Sequence, residues 1–495
     1  MKRFLCAISV SVWILLACPR LAWGYDLASK VKQFTLQNGM RWLVVRRTQA
    51  PVFSGVIMVR VGGADEVVGK TGLAHMFEHM AFKGSSRLGT RDYGKELVLL
   101  EEIERVGEAL TQERKKRRPD RSLIKKLSLR MEELTKEADR YQVKGEIWEV
   151  MARNGAKGLN AFTNKDITAY FASMPTNRLE LWARVFAELI FDPVFREFYT
   201  ERKVVAEERR ASVENDPDGA LAEKILSASF KNGPYHWSTI GFEEDIRGLT
   251  IGDAREFYRR HYVPANMVGV LVGDVSLRRA KRIIRQVFGG YPPGAVPPGP
   301  YTSNQPRGGV RERFWFIAEP ELAVAYHKPT LPDPTEYVFD VITYLLCEGR
   351  TSRLQKSLVY EKRMAKDIYC SDGYPGSRLE NLLLIWVEPL KPYAPRRVLK
   401  EVMAEIDRLR REPVDEKELT KVRRHVTASM VMALDNNMSL AQALARFEAI
   451  FGDWRLLATY PDNIAKVDAK EVMAVANKYL TPANRVVVER MRTSR

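Results

Sequence analysis

Apolar positions along this chain recur first with a period of two and then with a helical period, and that succession occurs twice. "QFTLQNGMRWLVVRR" (33–47) reads as two strands around Asn38-Gly39, a type I′ hairpin signal, and "FSGVIMVRVGG" (53–63) follows as a third. Far downstream, "RERFWFIAE" (311–319) and "ELAVAYHKP" (321–329) play the same part. Helical spacing dominates after each set until a valine-rich strand returns. The returns are related to each other. "DAREFYRRHYVPANMVGVLVGDV" (253–275) and "DAKEVMAVANKYLTPANRVVVERM" (468–491) each give an amphipathic helix, a Tyr, Pro-Ala-Asn and a strand, with the two prolines 218 residues apart. The Pro/Gly-rich stretch 289–309 lies between them and reads as a linker. The pattern predicts an α+β protein of two similar halves, 25–288 and 310–495, each a mostly antiparallel sheet with helices on one face.

One segment departs from the repeat. Residues 95–145 carry Leu and Ile at helical spacing on both sides of Pro119, which predicts an antiparallel helical hairpin inserted in the first half. Its turn, within 114–126, is strongly basic: either a solvated tip or a docking surface for an acidic partner or lipid headgroups.

Charge and composition narrow the function classes. The chain has 495 residues and a formal net charge of +17. That charge is spread along the sequence, without an aromatic-interleaved basic stripe, so nucleic acid is not an expected partner. The N-terminus reads as a secretory signal: "MKR", an apolar run, then small residues at Ala22 and Gly24. Cleavage near Gly24 gives a periplasmic or secreted protein; the alternative is lipidation at Cys18, in the lipobox-like "LLAC". Outside the signal only Cys347 and Cys370 remain, either as a disulfide, which export permits, or as two buried thiols.

The densest chemistry lies in "GLAHMFEHMAFKGS" (72–85), which holds two of the chain's six histidines. Thr71 is placed to cap a helix running to about Lys83, with Gly84 as its stop. His75, Glu78, His79 and Phe82 then share one face, at i, i+3, i+4 and i+7. Histidines one turn apart can aim two imidazoles at one metal ion, and the glutamate is positioned to accept a proton from water. This is the inverted zincin arrangement, H-x-x-E-H. A catalytic zinc site needs a third protein ligand. In "EFYTERKVVAEERRASVENDP" (197–217), Glu201 and Glu208 stand two turns apart on one face, with Val204 and Val205 left to pack.

At these residues the chain resembles the pitrilysin, insulysin and mitochondrial processing peptidase family of zinc metallopeptidases, over nearly its whole mature length. The resemblance implies one Zn2+ per chain held by His75, His79 and Glu208, with Glu78 as general base and Glu201 as a supporting carboxylate. "GLNAFTNKDITAYFASMP" (158–175) is similar to the family's substrate-binding edge strand, which implies an extended peptide lying along Asn160 and Ala161. It also implies two homologous halves facing each other around a chamber. His79 and Glu208 lie 129 residues apart, a surplus of about fifty over the family interval that matches the 95–145 hairpin. Active single-chain members carry an arginine and a tyrosine after a turn like "EGRTSRL" (348–354); here Tyr360 and Lys366 occupy those positions, with Arg363 and Tyr369 out of register. The expectation is a zinc endopeptidase working as a heterodimer with a sibling that lacks the zinc motif, a homodimer being the runner-up. The alternative is a weak or inactive scaffold subunit, or a membrane-surface protein using the basic tip.

Overall fold

The computed structural model describes residues 27–299 and 307–493; the signal segment 1–24, including Cys6 and Cys18, lies outside them. Six strands form the first sheet: β1 (Val31–Thr35), β2 (Arg41–Arg46), β3 (Val52–Val59), β4 (Lys157–Thr163), β5 (Thr168–Pro175) and β6 (Met267–Gly273), in the order β1-β2-β6-β3-β5-β4. Five form the second: β7 (Val310–Phe316), β8 (Glu321–Lys328), β9 (Ala365–Tyr374), β10 (Asn381–Pro389) and β11 (Arg485–Arg492), in the order β7-β11-β8-β10-β9. Each sheet is antiparallel except for one pair, β2 with β6 and β7 with β11. The helices that bear on the site are α1 (Leu73–Ala81), α2 (Tyr93–Lys115), α3 (Arg121–Ala138), α4 (Phe198–Arg209), α5 (Pro217–Ser229) and α6 (Ile251–His261) in the first half. In the second they are α7 (Thr335–Cys347), α8 (Glu416–Ala433), α9 (Asn437–Phe451), α10 (Arg455–Lys466) and α11 (Ala469–Tyr479).

The repeated Pro-Ala-Asn has a physical reason. Asn266 Nδ2 donates to the carbonyls of His261, at the end of α6, and Arg60, just past β3. Asn484 Nδ2 donates to Tyr479, at the end of α11, and His327 in β8. One side-chain amide thus ties helix, turn and neighbouring strand in each half.

Each half packs its main helices on one face of its sheet, as the sequence pattern predicted, and the opposite face receives a helix from the other half. Trp42, Phe53 and Ile57 pack with Met76, Phe77 and Met80 of α1. On the opposite face, Leu43, Val56, Met58 and Val270 meet Leu440, Leu444 and Ala445 of α9, which belongs to the second half. Reciprocally, Leu221, Ile225 and Leu226 of α5 cover Ala323, Leu384 and Val488 of the second sheet. Each half lends a helix to the other, which is why β3, β6 and β8 are apolar runs rather than alternating strands. A buried latch adds to this: Arg378 pairs with Asp65 at 2.7 Å, and Asp166 accepts from the Arg378 backbone N–H and from the Tyr235 hydroxyl.

Three local expectations are corrected. The Asn38-Gly39 hairpin exists, but Gly39 alone takes positive φ (88°), and Leu36 N–H bonds Met40 O around a three-residue loop, so the turn is not type I′. Asn38 Nδ2 instead donates to the carbonyls of Phe288 and Tyr291. Val204 is exposed, and Val205 alone of that pair packs inward. The helical hairpin starts at Tyr93, and its base is closed by the Thr90–Gln142 bridge. It is also anchored to the sheet half, because Glu96 of α2 holds Arg196 in a buried bidentate pair at 2.6 and 2.9 Å. Cys347 and Cys370 are joined as a disulfide between α7 and β9. No helix of the described residues is long and apolar enough to cross a membrane.

Candidate metal centre

Helix α1 is held at both ends by side chains distant from the site. Thr71 does not cap it. Its hydroxyl donates to Asp245 and accepts from Phe242 N–H, while the cap comes from Glu66, whose carboxylate receives Gly72 N–H at 2.9 Å and Ala74 N–H at 2.8 Å. Gly72 has φ 90°, and a Cβ there would stand 2.6 Å from the Ile240 carbonyl, so a side chain is excluded. The helix ends at Ala81, short of Lys83. Beyond it, the buried Arg196 donates to the carbonyls of Lys83, Ser85 and Leu88 and fixes the exit turn. The outward face of α1 is therefore rigidly aimed.

That face meets α4. His75 Nε2 lies 3.7 Å and His79 Nε2 3.5 Å from the two oxygens of Glu208, and one ligand atom from each residue falls within 4.8 Å of the others. Glu201, one face-repeat earlier on α4, approaches His79 Nδ1 at 3.2 Å and accepts from Lys83 Nζ at 2.6 Å. Glu207 points elsewhere and pairs with Arg210. Among the described residues this is the one group of three or more His, Cys, Asp or Glu with metal-holding geometry.

The two imidazoles have opposite electrostatics. Burial lowers the pKa of His75 to about 4 and keeps it neutral. The carboxylates of Glu201 and Glu208 raise His79 to about 9. Glu78 is pushed up chiefly by burial, although the Thr163 hydroxyl and backbone hydrogen-bond its carboxylate. Thr163 closes β4, the free edge strand of the first sheet, so the base candidate is tied to that strand. Asn160 is exposed on it and Ala161 is buried; the Asn160 side chain accepts the Ala161 N–H at 2.9 Å.

His75, Glu78, His79, Glu201 and Glu208 meet at one place, and Asn160 and Ala161 lie on the adjoining edge strand. Glu66, Lys83, Thr163 and Arg196 do not stand out in the sequence. Lys83 sits one turn past His79 and could have been found by spacing; the others act across long chain separations.

The fold and this cluster define a two-half α+β protein with an inverted-zincin helix. The family model described as Insulinase (Peptidase family M16) matches residues 134–242, and the one described as Peptidase M16 inactive domain matches 248–426. Together they span more than half of the chain, which belongs to the insulinase, or M16, peptidase family. The first match holds Glu201 and Glu208 and begins after the histidines, within the second helix of the hairpin. The chain is 25% identical over 459 residues to the zinc protease PqqE of Helicobacter pylori, covering 91% of this chain and 90% of that one. It is 21% identical over 477 residues to an Arabidopsis thaliana protein named "Probable mitochondrial-processing peptidase subunit beta, mitochondrial", covering 92% and 77%. A crystal structure of a protease from Helicobacter pylori is similar in fold, with TM-score 0.78, 24% identity and coverage of 93% and 99%. The periplasmic protease PqqL of Escherichia coli aligns with TM-score 0.66 and 17% identity over 93% of this chain and 47% of that one.

Proposed function

We propose that the chain is an exported zinc-dependent endopeptidase that hydrolyses extended peptides or unfolded segments. The observation that carries this is the convergence of His75, His79 and Glu208 within 4.8 Å beside Glu78. The donor set fits zinc: two imidazoles and a carboxylate suit a borderline cation, and three protein ligands leave a coordination position open. Of the two imidazoles, His75 is already in the metal-binding state, whereas His79, raised to about 9, would release a proton on binding. His75 is neutral, and its Nδ1 is buried with no hydrogen-bond partner, so Nε2 is the nitrogen turned toward Glu208. Bound there, Zn2+ would supply Lewis acidity, making water a stronger acid and a carbonyl more electrophilic.

The chain's own residues do the rest. Glu201 holds His79 through Nδ1, which turns Nε2 toward Glu208, where a metal would sit. Glu78 accepts the proton of the attacking water on its carboxylate and returns it to the leaving amine. Partial burial raises its basicity, and Thr163 keeps it aimed. A substrate strand would add to β4 at Asn160 and Ala161, taking main-chain hydrogen bonds from the free edge.

A second reading concerns activity alone. Tyr360 is engaged with Arg350, and Lys366 with Glu388 at 2.9 Å, so the second half offers neither expected group at these positions for stabilising charge on the scissile carbonyl oxygen. The proposed working form is a heterodimer with a homologous subunit that lacks the zinc motif and supplies that pair; a homodimer is the alternative. The Cys347–Cys370 disulfide supports an oxidising compartment, periplasmic or extracellular, with lipid anchoring through Cys18 as the variant of that reading. The test is metal analysis with cleavage of an unstructured peptide mixture. Wild type should bind one zinc and turn over, and Glu78→Gln should keep the zinc and lose turnover. Absence of zinc from wild type would refute the reading.

A further inference from the structure

The inserted hairpin creates a second concavity, unrelated to the metal cluster. Arg202, Lys203 and Ala206 face away from Glu201 and Glu208 on α4, by the 100° advance per residue of a helix. Together with the end of α2 and the short helix around Arg247, they enclose about 550 Å3. An adjoining cavity of about 430 Å3, toward α3, shares Arg114, Arg202 and Lys203.

Its charge is one-sided. Arg114, Lys115, Arg202, Lys203 and Arg247 line it, against Glu207 and Glu244. Glu207 is already taken by Arg210, and Arg247 is held by Glu243. Lys115 Nζ rests on the Gly248 carbonyl at 3.0 Å. Arg202 is the telling residue. It is only 7% exposed, yet its partners are all neutral: the Thr111 hydroxyl at 3.1 Å, the Leu249 carbonyl and the ring of Tyr199. Neither Arg202, Arg114 nor Lys203 forms an ion pair among the described residues. A guanidinium withdrawn from water without a counter-charge is costly. Burial, with Arg114 and Arg247 as like-charged neighbours, depresses its pKa to about 10. An anion at the mouth of this cavity would offset that cost.

We infer that the concavity between the hairpin and α4 binds a phosphate group. A planar guanidinium fork beside flexible ammonium groups suits a multiply charged tetrahedral anion. The phosphate has two candidate sources. Lys116, Arg117 and Arg118 follow directly from Lys115 at the basic tip, so the group could arrive on an anionic lipid headgroup; otherwise it is free phosphate. The inference does not depend on zinc or on peptidase activity.

The full mature chain is titrated with inorganic phosphate at constant ionic strength, using calorimetry and thermal melting. Wild type should bind saturably and melt higher with phosphate. Arg114→Glu/Lys203→Glu changes two exposed side chains; it should melt normally without phosphate and bind at least about tenfold more weakly. Arg117→Gln/Arg118→Gln, at the tip, should bind within about twofold of wild type. Sedimentation with phosphatidylglycerol vesicles assigns the source: binding that phosphate competes away and the double variant loses names the headgroup, and no vesicle binding names free phosphate. No saturable phosphate binding by wild type, or undiminished binding by Arg114→Glu/Lys203→Glu, would overturn the site.

Discussion

The two halves share a strand order and a helix-clamping asparagine, yet they treat the same helix differently. An offset of 265 residues aligns Gly84, after α1, with Gly349, after α7, and it pairs His75 with Asp340 and His79 with Tyr344. In the first half that face stays open enough for two imidazoles and a glutamate to meet. In the second it is closed. Asp340 is half-buried and accepts the Tyr460 hydroxyl of α10 at 2.5 Å; desolvation of its carboxyl and the neighbouring Asp372 raise its pKa well above the ordinary carboxyl value. Glu336, a turn earlier, pairs with the buried Lys328, which also reaches Asp372 at 2.9 Å. Tyr344 lies against His425 of α8. The second half has converted the position into a packed polar core, and such a core needs every member paired. One scaffold therefore gives a cluster that could hold a metal where a face is left uncovered and a packed polar core where a further helix closes it.

Loss of the candidate base should have the largest effect. Glu78→Gln should reduce peptide turnover by about 10²–10⁴-fold while zinc content stays at wild-type level, read by steady-state cleavage and elemental analysis. Next comes the scaffold of the open face. Glu96→Gln leaves the Arg196 guanidinium buried without its partner and should cost about 3–5 kcal/mol in chemical denaturation, with loss of zinc because the exit of α1 loosens. For the same reason, deletion of the hairpin should be tolerated only if the junction keeps Glu96. Adding the proposed sibling subunit should raise turnover at least about tenfold, equivalent to about 1.4 kcal/mol; full activity in a strictly monomeric preparation would remove the need for a partner.

The pH dependence sharpens the comparison further. In the metal-free protein His79 is raised to about 9 by Glu201 and Glu208, from an unfolded value near 6.5. Its contribution to stability is complete below about pH 6.5 and is lost as pH rises through about 9. Glu201 and Glu208 are held below the ordinary carboxylate range, Glu201 mainly by His79 and Lys83 and Glu208 mainly by His79. Their contribution is present above about pH 4.5 and is lost as pH falls. Melting of the metal-free chain should therefore weaken between about pH 6.5 and 9, and His79→Gln should remove that slope. At the cap, Glu66→Gln should cost at least about 1 kcal/mol, read by denaturant midpoint, because the carboxylate also faces the buried Lys165.

Much of this was legible in the sequence because its determinants are local. Helical spacing put His75, Glu78 and His79 on one face, and the seven-residue interval put Glu201 with Glu208. The Pro-Ala-Asn repeat disclosed the two halves. What escaped is non-local. Thr71 looked like a cap, but Glu66 does that work because Gly72, at positive φ, turns the chain and brings the buried carboxylate onto the helix N-terminus. The exchange of α5 and α9 between halves has no period to announce it; its trace is the unbroken apolar run of β3 and β6. The Arg196–Glu96 pair joins residues 100 positions apart, and the charges around Arg202 converge from three separate helices.

Metal is expected to bind in the first half alone, with Glu208 as the third ligand. The measurement that tests it most directly is zinc per chain, by elemental mass spectrometry, in wild type, Glu208→Gln and Glu207→Gln prepared identically. One zinc is expected in wild type and in Glu207→Gln, whose side chain lies about 100° away on α4, and markedly less in Glu208→Gln. Equal zinc in both variants, or two zinc ions per wild-type chain, would contradict it.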